Sequence, residues 1–210
     1  MSGQQLTHVD DRHAILSIAI KPRDTFQYVL KEKKLSYFMI IGIIGMFGSN
    51  LVTLIGTDIY GQSSLGDIVF SAFMSGILFY FLSTALVAGV LLLSAKVLGG
   101  KGTFKEMFRM ISMTMVPYIW LLPVILFWMQ FAPQSFFEIP YIESTLADYI
   151  IQFICGTFVM VASIWTFILT VVGISEVHKL SKWKAFFASI LVVIVLGIVV
   201  AFALLNGIAF

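Results

Sequence analysis

Two of the loops between the long apolar runs of this chain contain no lysine and no arginine. Residues 57–67 and 132–149 lack them entirely, as does the extreme C-terminus. Cysteine is nearly missing as well: Cys155 alone excludes a disulfide framework and a cysteine-based zinc set. The only histidines are His8, His13 and His178, and no further His or Cys joins His178 and nearby Glu176 as metal ligands. Neither a Ser-His-Asp arrangement nor a His-Glu-x-x-His spacing occurs, so no catalytic activity and no cofactor are expected. No Asp, Glu, Lys, Arg or His lies in the middle of an apolar run. Intramembrane charges usually mark proton relays or ion paths, so this absence argues against a proton-coupled pump. A cleavable signal peptide is not expected either, because the first 35 residues are polar and mixed in charge. Ser2 stands where N-myristoylation needs glycine.

The chain is 60% hydrophobic and only 11% charged, against about half and a quarter for soluble proteins. Five apolar runs account for this, over residues 36–56, 68–93, 111–131, 150–172 and 185–209. Each is about the ~20 residues that cross a ~30 Å hydrocarbon core. The expected fold is all-α: a polytopic membrane protein with a five-transmembrane-helix bundle. Residues 1–20 are expected to form a partly disordered cytoplasmic tail, and 21–210 the membrane domain.

All 13 bases lie before the first run, between the second and third, or between the fourth and fifth, accompanied by six acids. The alternate segments carry Asp58, Asp67, Glu138, Glu143 and Asp148 and no base. Basic short loops stay cytoplasmic. The expectation is a multi-pass cell-membrane protein with its N-terminus cytoplasmic and its C-terminus extracytoplasmic. The basic face suits lipids of an anionic inner leaflet, and topology accounts for these charges without nucleic acid.

Two amphipathic helices are expected at that inner surface. After Pro22, with Asp24 or Thr25 as N-cap, Phe26, Val29 and Leu30 share one face. After Gly99-Gly100, which ends the second span, Thr103 and Glu106 form a T-x-x-E capping box. Phe104, Met107, Phe108 and Ile111 then share a face, with Lys105, Glu106 and Arg109 opposite. Pro117 and Pro123 should kink the third span. Phe26, Leu30, Phe104, Phe108 and Arg109 are the candidate contacts for a partner or the membrane surface. Asn50 and Gln152 are the candidate polar residues within the membrane, where hydrogen bonding between helices is the commoner use. Gly42, Gly45 and Gly48 allow close helix packing, within one chain by preference, and leave a homo-oligomer open. The loop 132–149 is expected to cap the bundle, with Phe136, Phe137 and Tyr141 as an aromatic belt. Gly99-Gly100-Lys101-Gly102-Thr103 lacks the spacing and preceding strand of a phosphate loop.

In order along the chain stand Pro22, Thr25 and Phe26; Gly99-Gly100-x-Gly102-Thr103-Phe104; and Pro117. They are followed by Trp165 through Gly173-Ile174; His178-Lys179-Leu180-Ser181; and Lys184-Ala185. With five spans and an inner N-terminus, this order resembles the Yip-one (Ypt-interacting protein) domain family over about residues 15–205. Eukaryotic members associate with Rab GTPases in vesicle traffic and carry an Asp-Leu-Tyr-Gly-Pro element before the first span. This chain has no such element, so Rab binding is not carried over. It looks like the short prokaryotic branch, some of whose members are associated with ABC-type export systems. The resemblance implies a non-enzymatic scaffold or accessory subunit that binds another membrane protein. A small channel, or a protein that translocates lipid or remodels the membrane, is the alternative.

Overall fold

The structure, a computed structural model, describes residues 14–138, 145–191 and 194. Its helices are α1 (Ala14–Ile20), α2 (Pro22–Glu32), α3 (Leu35–Thr53), α4 (Leu65–Val97), α5 (Phe104–Thr114), α6 (Val116–Phe131), α7 (Pro133–Phe137) and α8 (Leu146–His178). A further helix, α9, covers residues 182–191. Four segments are long and apolar enough to cross a membrane: Leu35–Thr53, Leu65–Val97, Phe104–Phe131 and Leu146–His178. The fifth expected span, 185–209, lies mostly outside the described residues, and α9 is its first part.

Lipid is the solvent along these helices, which explains their outward faces. On α4, Leu78, Phe79, Leu82, Leu86 and Leu93 are all exposed, as hydrocarbon permits. The packed faces instead carry small residues. A side chain at Gly42 would enter the ring of Tyr80 on α4. At Gly45 it would strike the Cβ and carbonyl of Met115, and at Gly48 the carbonyl of Tyr118 on α6. These glycines set how closely α3 approaches its neighbours, since close van der Waals contact drives helix association in lipid. Tyr80 also shares a 2.7 Å hydrogen bond with Ser112 Oγ on α5. Such interhelical bonds contribute about 0.6–2 kcal/mol in membranes.

Pro117 falls in the first turn of α6, where its missing N–H costs nothing. The chain breaks there between α5 and α6, while Pro123 lies inside α6. Helix α5 does not lie free on a surface. Met107, Met110, Ile111 and Met113 are buried, and α5 packs on α2, α3, α4 and α8. Its capping box forms as expected: Thr103 Oγ1 accepts from the Glu106 N–H, and Glu106 Oε2 accepts from the Thr103 N–H. Helix α2 begins earlier than expected, with Lys21 as N-cap and Pro22 in its first turn. Thr25 lies inside the helix and donates to the Lys21 carbonyl at 2.8 Å.

One expectation is corrected at the end of the bundle that carries the acidic loops. Phe136 and Phe137 do not form an outward belt, because both are fully buried. Their carbonyl oxygens accept from the N–H groups of Gly56 and Asp58 at 2.9 Å. Phe137 stacks on Tyr60, and Phe136 packs edge-on against Trp128. Tying the two loops through the backbone pulls both rings inward as a plug. Tyr141 lies outside the described residues.

Candidate functional site

At the opposite end, the basic segments converge on the last turn of α8. Gly99 has φ of 91°, a backbone conformation that glycine adopts without strain, and it ends α4. The loop then passes so close to α8 that a Cβ at Gly100 would enter the His178 ring, and one at Gly102 would strike Val177. Gly102 N–H donates to His178 Nδ1 at 3.1 Å, and Lys101 N–H to the His178 carbonyl at 3.3 Å. Because Nδ1 accepts a hydrogen bond, the ring here is neutral with its proton on Nε2. His178 is 1% exposed and works as a structural latch.

Two residues earlier, Glu176 anchors α2. Its carboxylate is 5% exposed, pairs with Arg23 and accepts from Gln27 Nε2 at 2.7 Å. Lys179 Nζ lies 3.8 Å from the same carboxylate. A carboxylate buried to this degree is held by charge-assisted bonds that its surroundings supply. Below it, Gly173 leaves room for Phe26 of α2 and Met110 of α5. From α9, Lys184 Nζ donates to the Leu98 carbonyl at 3.4 Å. Helices α2, α4, α5, α8 and α9 are thus fastened at one end. Among the described residues no group of three or more His, Cys, Asp or Glu could hold a metal ion.

The residues that form this junction come from motifs dispersed over the whole chain. The Yip1 domain matches residues 16–204. The chain belongs to the Yip1 domain family. No curated protein and no solved structure matches it.

Members of the Yip1 family are non-catalytic membrane proteins that interact with other proteins. In this Yip1 domain several residues of the family resemblance serve one joint. Phe26 meets Gly173, Gly100 and Gly102 meet His178, and Lys184 reaches Leu98.

The candidate contact residues separate in the Yip1 domain. Phe26 is fully buried and belongs to the core, so it presents no surface. Leu30 and Phe108 are half-buried against that core, and Phe108 lies edge-on to Tyr80. Arg109 stacks its guanidinium over Phe38 at 5.4 Å, and its Nε is buried without a partner among the described residues. Phe104 alone of the five stands exposed, at 46%. Lys101, Lys105, Lys182 and Trp183, in the segments that meet at this end, are exposed as well. Asn50 staples α3 to α4, donating to the Ala72 carbonyl and Ser75 Oγ. Gln152 is half-buried on α8 and does not join Asn50. Glu176 was not singled out from sequence as an anchor. The available signal was an acid just inside the end of an apolar run, with its partner Arg23 far away in the chain.

Proposed function

We propose that this Yip1 domain is an accessory subunit that docks another membrane protein at its basic end. The observation that carries the reading is a fastened junction with an exposed rim. Five helices are tied together by Glu176, His178, Lys184 and two glycines, and no reaction centre occurs among the described residues. In this reading the fastened end offers exposed Phe104, Trp183, Lys101, Lys105 and Lys182 as a preformed surface, which lowers the ordering cost of binding. An ABC-type export system is the partner class that the resemblance to short prokaryotic members suggests.

The rim faces the cytoplasm in this reading, because every base among the described residues lies toward that end and short basic loops stay inside. Phe104 and Trp183 would then sit at headgroup depth, where aromatic side chains are favoured. A phosphatase fused after Phe210 should be active, and one inserted within 101–105 inactive. The reverse pattern overturns the orientation. Tagged protein extracted from native membranes in mild detergent should carry a second membrane protein in fixed ratio. Repeated recovery of the chain alone would contradict the docking reading.

A further inference from the structure

The opposite, acidic end holds a cleft with a polar flank set beside Leu54, Ile59 and Ile68, away from the docking surface. Asp67, Ser71 and Ser75 recur every four residues on α4 and so share one face. With Asn50 and Thr53 of α3 and Gln62 of the connecting loop, they line a cleft of about 490 Å³. From Asp67 to Ser75 it runs about 12 Å along α4, into a segment apolar enough to cross the membrane. The neighbouring face of α4 borders a crevice of about 460 Å³ that is mostly apolar, lined by Phe47, Val69 and Phe73 with Gln130 as its polar side chain. Next to Ser75, Gly76 abuts the Phe47 backbone, and Phe47 and Phe73 meet edge to face at 5.4 Å.

The hydrogen bonds show which chemistry remains available. Asn50 spends its amide donors on the Ala72 carbonyl and Ser75 Oγ, and Ser75 donates to the Ala72 carbonyl. Thr53 donates to the Asn50 carbonyl, Gln62 to the Asp58 carbonyl and Ser64 to Asp67 Oδ2. Ser64 takes one Asp67 oxygen and leaves the other, and the Asn50 amide and the Ser63 and Ser71 hydroxyls of the lining can also accept. One negative charge among open acceptors fits a cation that brings its own N–H donors.

We propose that this cleft binds the primary ammonium of an ethanolamine phospholipid headgroup. The lipid source follows from depth: the cleft opens at Asp67, where the apolar span begins, and a phospholipid presents its headgroup there. A choline headgroup has the same charge but no N–H, so it cannot satisfy these acceptors. The proposal is independent of the docking reading, which concerns the other end of the bundle.

The test is native mass spectrometry of the full chain in detergent, titrated with short-chain phosphatidylethanolamine, phosphatidylcholine and phosphatidylglycerol. Wild type should retain one ethanolamine lipid with about tenfold preference over choline, the worth of one charge-assisted hydrogen bond. Asp67→Asn should reduce that preference to near unity. Equal binding of the ethanolamine and choline lipids by wild type overturns the proposal whether or not the variant folds. So does an undiminished preference in Asp67→Asn, or a stronger response to the glycerol lipid. Free ethanolamine at matched concentration should not displace the lipid. If it does, the ligand is a soluble amine and the lipid assignment fails.

Discussion

Gly45→Val or Gly48→Val will drive α3 away from α6 and cost folded protein. The added carbon at Gly45 meets the backbone and Cβ of Met115, and at Gly48 the carbonyl of Tyr118. Neither neighbour can rotate out of the way, as the tip of a long side chain could. Overpacking typically costs 1–3 kcal/mol, and we expect about 3 kcal/mol or more where backbone is the obstacle. For a chain of this size that corresponds to a fall in Tm on the order of 10 °C. Gly156 supplies the control, because a Cβ there meets nothing within 4 Å. Gly156→Ala should leave Tm unchanged or raise it slightly, since alanine favours helix over glycine by about 1 kcal/mol. Thermal unfolding in detergent, followed by helical circular dichroism, reads all three. Equal behaviour of Gly45→Val and Gly156→Ala would show that α3 does not pack as described.

The second large effect is expected at the latch. Gly100→Val would place carbon inside the His178 ring and against the Ala95 carbonyl, so the loop must lift from α8. His178→Ala removes the acceptor for Gly102 N–H and leaves a void beneath the loop. An unsatisfied buried N–H costs about 1–3 kcal/mol, and the lost ring packing adds to it. Both variants should therefore loosen the same segment. Hydrogen exchange should rise in the loop at Lys101 and Gly102 and at the end of α8, while α3 and α6 stay protected. If exchange rises uniformly, or not at all in this loop, His178 is not the fastening point.

The long apolar runs made four spans legible, because hydrocarbon demands length and low charge and little else. The Thr103–Glu106 capping box was legible for a similar reason: its chemistry is contained in four consecutive residues. Burial on an amphipathic face was not. Phe26 and Phe104 occupy equivalent positions in the sequence pattern, yet one is fully buried and the other exposed. Periodicity shows that a face is apolar and does not say whether lipid, a partner or the chain itself covers it. Here Gly173, far along the chain, makes the space that Phe26 fills. Glu176 poses the same difficulty, since its burial makes sense only once Arg23 and Gln27 arrive from α2. Phe136 and Phe137 suggested a belt because they border a span. Their inward turn depends on backbone bonds to Gly56 and Asp58 in another loop.

The central claim is that the exposed rim around Phe104 docks a membrane protein. Photo-crosslinking in native membranes tests it most directly, with a photoreactive residue placed at Phe104 and, separately, at Phe70. Both positions are exposed, at 46% and 64%, but Phe70 lies on α4 toward the acidic end. The account predicts a discrete protein adduct from Phe104 and none from Phe70. Lipid adducts alone from both positions, or the same protein adduct from each, would contradict it.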